Sequence, residues 1–337
     1  MQSALATKEI APPADKLTHL ASFLAQSVSG GSVLLSHLLN GVLPIFAIGA
    51  VGYALGKRGT FDFGMAMVIN KFVMFVAMPA LAVRLLANAP LEEFNLAMLG
   101  GYFFTEIVMY GGGYLIGRYI FGADIKESAL LGLALALTNH VLFVLPIAIT
   151  LFGEGSATQI IAIVTLDGII VFSGSMILMD YLATKDGTFG QTLHKIATNP
   201  PLVATVLGLS LGFMGIALPQ GMDVFLKVLG DTASPVLLFS LGVILSQPQE
   251  HTRPMLPIAM TGMKLVIHPL LAWLIFTGVL QLTPEVRNPA MMVAAAPCGV
   301  MAFMLALNYG VRVDAIARAT LYTGIGSLLT ISIAAGL

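Results

Sequence analysis

The sequence contains one cysteine, Cys298, and only 10% of its residues are charged. A single thiol excludes an intrachain disulfide framework and a thiolate metal cluster. The 16 basic and 17 acidic residues nearly cancel, for a net charge of −1, so nothing in the charge balance points to nucleic acid as a partner. Signatures of enzymatic chemistry are missing too: there is no Walker-type phosphate loop, no His-Glu-x-x-His helix and no Gly-x-Ser-x-Gly elbow. The chain is therefore not expected to be an enzyme or a self-contained ATP-driven pump, and no cofactor or metal is expected.

What the chain has in abundance is apolar surface. Of its 337 residues, 57% are hydrophobic, and the mean hydropathy is +0.92. That leaves too little polar surface to clothe a soluble globule, so the sequence predicts an all-α polytopic membrane protein. Ten apolar stretches long enough to span a bilayer lie at 38–56, 63–87, 95–120, 127–152, 158–183, 199–216, 222–246, 255–280, 288–309 and 314–336. The only long connection, 184–198, reads as a cytoplasmic loop. Residues 1–37 lack the pattern of a signal peptide. Leu17, Leu20, Phe23 and Leu24 share one helical face there, so this N-terminal extension is either an interfacial helix or unstructured. Lys57, Arg58, Arg118, Lys126, Lys185, Lys195, Arg253 and Arg312 fall on one side of the spans, whereas Lys8, Lys16 and Arg287 fall on the other. The positive-inside rule then places the first set in the cytoplasm and both termini on the non-cytoplasmic side of the cell (inner) membrane.

The chain also echoes itself. At an offset of 156, Pro44 falls on Pro200, Gly52 on Gly208, Gly56 on Gly212, Lys71 on Lys227 and Pro79 on Pro235. Each half holds five spans, and an odd number inverts the second copy. The expected architecture is two inverted five-helix repeats, 38–183 and 199–337, an arrangement typical of secondary transporters. Gly52/Gly56 and Gly208/Gly212 are matched small-xxx-small pairs suited to close helix packing.

Two spans carry signals for a break. Span 4 has Asn139 and His140 shortly before Pro146, and span 9 reads Ala296-Pro297-Cys298-Gly299. Proline removes a backbone donor and clashes with the preceding turn, which predicts freed carbonyls near Leu142 and Phe143. Freed groups are tolerated in hydrocarbon only when buried in protein or lining a wet cavity. If the broken helices 4 and 9 cross, the positive ends of their half-helices converge and suit a carboxylate. A small carboxylate is accordingly the expected substrate.

A charge at the bilayer centre costs about 2.5–3.5 kcal/mol on insertion scales. Glu106, Asp167, Asp231 and Lys264 are the deep candidates for charge tuning or ion coupling, while Lys71, Lys227, Asp180 and Arg318 lie nearer span ends and can snorkel. Glu106 and Lys264 occupy nearly equivalent positions of the two repeats and could pair. Alternatively, Glu106 or Asp167 could take up and release a proton. Sodium is the other coupling ion the sequence leaves open.

Several segments resemble the auxin efflux carrier family. Gly41 through Tyr53 and Asn70 through Leu81 are similar to its first two helices, and Asn139 through Gly153, Leu229 through Gly242 and Ala294 through Gly310 to its fourth, seventh and ninth. The resemblance implies a scaffold of helices 1, 2, 6 and 7 and a moving domain of helices 3 to 5 and 8 to 10. It implies that Asn139 opens the fourth-helix motif and that Pro146 and Pro297 are the helix-breaking prolines. His140 and Val144 depart from the small residues usual there, which enlarges and polarises the expected pocket floor. The function so implied is secondary transport of small organic anions, mono- or dicarboxylates such as malonate, malate or auxin-like acids, by alternating access. The expected site is Asn139, His140, Pro146, Ala296, Pro297, Cys298 and Gly299. A sodium-coupled carrier of the bile-acid-symporter type and a non-transporting receptor or scaffold are the alternatives. Membrane lipid is an expected partner, and the resemblance allows a homodimer through the scaffold helices.

Overall fold

A computed structural model describes residues 43–44, 46–184, 189–248 and 253–335 of the chain. The N-terminal extension lies outside these residues. Among them there are helices and no strand. In chain order these are α1 (46–57), α2 (Phe63–Ala87), α3 (Leu96–Leu115, continued by a π-turn to Ile120), α4 (Ile125–Ala136), α5 (Leu145–Phe152), α6 (Ser156–Ala183), α7 (Phe189–Ala197), α8 (Pro200–Phe213), α9 (Gln220–Ser246), α10 (Met255–Val279), α11 (Pro284–Ala294), α12 (Met301–Asn308) and α13 (Asp314–Ala335). Of these, α2, α6, α9, α10 and α13 are each long and apolar enough to cross a membrane. The connection expected as a loop between the repeats contains helix α7, with His194 and Lys195 in its last turn.

Helix starts follow local chemistry. Asp62, Asn95 and Asp124 each accept a hydrogen bond from the amide three residues on, at 2.8, 2.9 and 2.8 Å. Such caps satisfy amides that have no partner within the helix.

The prolines act differently from expectation. Pro79, Pro146 and Pro269 each stand two residues beyond a five-residue π-turn, at Val73–Ala77, His140–Val144 and Met263–Ile267. A π-turn widens the helix by one residue, which relieves the clash of the proline ring with the turn behind it. Pro146 thus sits in the first turn of α5, where a missing amide costs little, and is not the breaking residue. The break in the fourth span comes earlier, at Leu137–Asn139, and the carbonyls it frees belong to Leu135, Ala136 and Leu137. Only Pro297, in the ninth span, lies in the break itself.

A few ionisable side chains are held inside an apolar core, and large apolar side chains cover much of the surface. Glu106, Asp167, Lys264, His140 and His268 are buried, whereas Leu96, Phe213, Met214, Val228 and Leu329 are broadly exposed. A rim of this kind suits lipid, and charges held inside suit a bilayer protein. Asp180, expected to snorkel, is instead buried, accepting from Tyr309 Oη at 2.8 Å and Asn199 Nδ2 at 2.9 Å, with Lys195 Nζ at 3.2 Å. Asp231, expected deep, is exposed on α9 and pairs with Lys227 one turn away. That i, i+4 pairing on an outward face is why it joins no internal cluster.

Helix α2 packs against α8 and α9, while α3 packs on α4, α10 on α13, α11 on α6 and α13, and α12 on α4. The matched glycines lie at the tightest approaches of the first group. A Cβ added to Gly52 would run into the Phe239 backbone on α9, and one added to Gly208 would press on Ala82 and Val83 of α2.

Candidate functional site

The stretches 127–152 and 288–309, expected as the fourth and ninth spans, are interrupted opposite each other. Thr138 and Cys298 form an isolated antiparallel bridge, in which the Asn139 amide donates to the Pro297 carbonyl at 3.2 Å and the Gly299 amide to the Leu137 carbonyl at 3.0 Å. Each unwound segment thereby satisfies backbone groups of the other, as burial requires. Gly299 is needed for this approach, because a Cβ there would sit 3.0 Å from the Thr138 carbonyl oxygen.

Helix α4 enters the crossing held at both ends. At its start the buried Glu127 carboxylate receives Arg253 and Arg312, both at 2.8 Å. At its end the Lys264 ammonium donates to the carbonyls of Leu135, Ala136 and Leu137 at 2.8, 3.1 and 3.4 Å and to Thr138 Oγ1 at 2.9 Å. An anion at the N-terminus and a cation at the C-terminus both complement the helix dipole. Lys264 is fully buried in the π-turn of α10, and among the described residues no hydrogen bond joins it to Glu106. The Glu106–Lys264 ion pair read from the repeat is therefore not formed. The freed carbonyls and Thr138 Oγ1 take the protons of the ammonium.

The second break uses neutral donors. The Cys298 amide donates to Thr323 Oγ1 at 3.1 Å, and Thr330 Oγ1 donates to the Ala295 carbonyl at 2.6 Å. Thr320, Thr323, Ser327 and Thr330 repeat at helical spacing along α13, a polar stripe in an apolar span that could have been found from the sequence. Thr138 likewise went unnoticed beside Asn139.

Beside the crossing lies a buried acid cluster. His140 Nε2 stands 2.9 Å from Asp167 Oδ2, and Asp167 opens a π-turn in α6. The Glu106 carboxyl of α3 lies against that of Asp167. Neither Glu106 oxygen accepts a hydrogen bond among the described residues. His268 contacts Thr105 Oγ1 at 3.3 Å and its ring faces Tyr102, with centroids 5.8 Å apart.

Two cavities meet the crossing. The first, of about 130 Å³, is lined by Ala82, Leu85 and Leu86 of α2, Thr205 of α8, and Thr138, Asn139, His140, Asp167 and Gly299. The second, of about 350 Å³, is lined by Gly49, Leu238, Leu241 and Gly242 together with Asn139, Pro297 and Cys298. Asn139 lines both, half-buried, and its side chain makes no hydrogen bond among the described residues. The structure thus brings Asn139, His140, Pro297, Cys298 and Gly299 to one place with Asp167, Glu106 and Lys264 beside them. Ala296 is buried in the same unwound segment. Pro146 and Asp231 stand apart from it.

The sequence model of a family described as membrane transport protein matches residues 37–335. A protein of Rhizobium meliloti (strain 1021) named "Putative malonate transporter" is 25% identical over 304 residues, covering 86% of this chain and 92% of its own. An "Uncharacterized transporter YfdV" of Escherichia coli (strain K12) is 23% identical over 293 residues, 82% of this chain and 90% of its own. A "Probable auxin efflux carrier component 5a" of Oryza sativa subsp. japonica is 25% identical over 141 residues, 40% of this chain and 39% of its own.

Proposed function

Because the chain belongs to the auxin efflux carrier family of membrane transport proteins, we propose that it is a secondary transporter of small organic anions working by alternating access. The observation that carries this reading is the crossing itself, with two cavities that share Asn139. Ala82, Leu85, Leu86 and Thr205 line the first cavity, and Leu238, Leu241, Gly242 and Gly49, each 156 positions away, line the second. One repeated unit inserted in opposite senses would produce such a pair, one cavity facing each side of the membrane. By the distribution of Lys and Arg, the second cavity would be the one facing the cytoplasm.

The chemistry at the crossing favours an anion. Chain segments leading into α5 and α12 begin there, so positive helix ends converge on Asn139. The opposite, negative end of α4 is occupied by Lys264 and so cannot repel a carboxylate. In the resting geometry the Asn139 side-chain amide is free to donate to the substrate. The groups packed on α2, α8 and α9 would form the static frame, and α3 to α6 with α10 to α13 the moving body. The similarity to a protein named as a malonate transporter makes malonate the first acid to try.

Purified protein in proteoliposomes should take up labelled malonate or a related mono- or dicarboxylate, and thermal-shift measurements over a carboxylate panel should identify the acid that stabilises it. A correctly folded protein that neither binds nor moves any acid of the panel would defeat the proposal.

A further inference from the structure

We infer that Glu106 and Asp167 share one exchangeable proton, and that this proton is carried together with the substrate anion, making the protein a proton–anion symporter. The inference rests on the transport reading for its second half only. Its first half concerns the geometry of the buried acids.

The two carboxyl groups come from different helices, α3 and α6, and are both buried: Glu106 is 1% and Asp167 3% exposed. Two carboxylates facing each other repel, whereas a carboxylic acid facing a carboxylate makes a strong hydrogen bond. Both oxygens of Glu106 are without a donor among the described residues, and Lys264 spends its protons on the carbonyls of Leu135, Ala136 and Leu137 and on Thr138 Oγ1. Asp167 has His140 Nε2 at 2.9 Å, so the donor that Glu106 lacks must be a proton held between the two carboxyls.

A charge count gives the same stoichiometry. The titratable groups beside the pair are Tyr102 from α3, His140 from the crossing and Lys264 from α10, and His268 and Cys298 lie in turn beside Lys264. With Tyr102, Cys298 and His268 neutral, Glu106, Asp167 and Lys264 sum to one negative charge, which one proton within the cluster cancels.

Position supplies the coupling. Asp167 and His140 line the same cavity as Asn139, so whatever opens the anion site to one side also opens the acid pair to that side. Asp167 borders that cavity directly, with His140 Nε2 beside it at 2.9 Å, so a proton has a way in. An anion entering beside a negatively charged cluster is repelled, and one entering beside a neutral cluster is not. Proton and anion therefore raise each other's affinity, and linkage makes the effect reciprocal.

Two measurements on the full chain test this. Infrared difference spectra between neutral and alkaline buffer should show a protonated carboxyl band in the wild type that vanishes in both E106Q and D167N. Absence of that band in folded wild-type protein overturns the inference whatever the substrate proves to be. In proteoliposomes carrying an internal pH dye, labelled malonate should enter with protons and accumulate when the outside is acid. E106Q should lose about tenfold of that accumulation while malonate counterflow continues at a reduced rate. Malonate uptake without proton uptake overturns the symport. A band without any malonate flux supports the proton site and instead counts against malonate transport, so the two failures are distinguishable.

Discussion

The two breaks that make the crossing solve one physical problem in different ways. Where α4 stops, three carbonyls lose their helical partners, and one buried ammonium takes all of them. Where α11 stops, hydroxyls of α13 serve instead, Thr330 donating to Ala295 and Thr323 accepting from Cys298. A charged cap demands balancing charge nearby, and Glu106 and Asp167 lie on that side. Hydroxyl caps demand none. The side of the first break is therefore the charged one, where the proposed proton site lies, and the side of the second is held by uncharged contacts.

Substitutions can widen or erase this difference. L-methionine in place of Lys264 fills much of the same volume but leaves three carbonyls unpaired, and K264M should lower stability by about 3 kcal/mol or more, read as thermal unfolding in detergent. Asn139→Ala removes the one polar side chain common to both cavities. It should weaken carboxylate binding about tenfold to a hundredfold, the worth of a hydrogen bond to a charged group, with an unaltered melting curve in the absence of ligand. On the neutral side, T323V strands the Cys298 amide and should cost about 1–2 kcal/mol. T330V should cost less, about 0.5–1 kcal/mol, because the Ala295 carbonyl keeps a weaker demand than a buried amide. If T323V proved as damaging as K264M, the contrast between the two sides would be lost.

Much of this arrangement was legible in the residues. The apolar stretches, the close glycine pairs and the meeting of spans 4 and 9 at Asn139 and Pro297–Gly299 follow from composition, spacing and helix-breaking chemistry. The partners across helices were not legible, and π-turns explain part of the reason. Each adds one residue to a turn and so rotates every later side chain by about 100° relative to a 3.6-residue period. Lys264 lies in such a turn, Asp167 begins another and His268 follows one. A position judged equivalent by repeat offset, such as Glu106 against Lys264, can therefore face a different neighbour. Pro146 misled for a related reason. Its strain is absorbed by the π-turn before it, so the visible breaker is not where the chain breaks.

The bridge between Thr138 and Cys298 has a mechanical side. Its two backbone bonds clasp the end of α4 to the entrance of α12, so neither half-helix can slide along its axis without dragging the other. Under the alternating access proposed above, a displacement that deepens the cavity beside Leu85 would make the one beside Leu241 shallower, like the two pans of a balance hung from one beam.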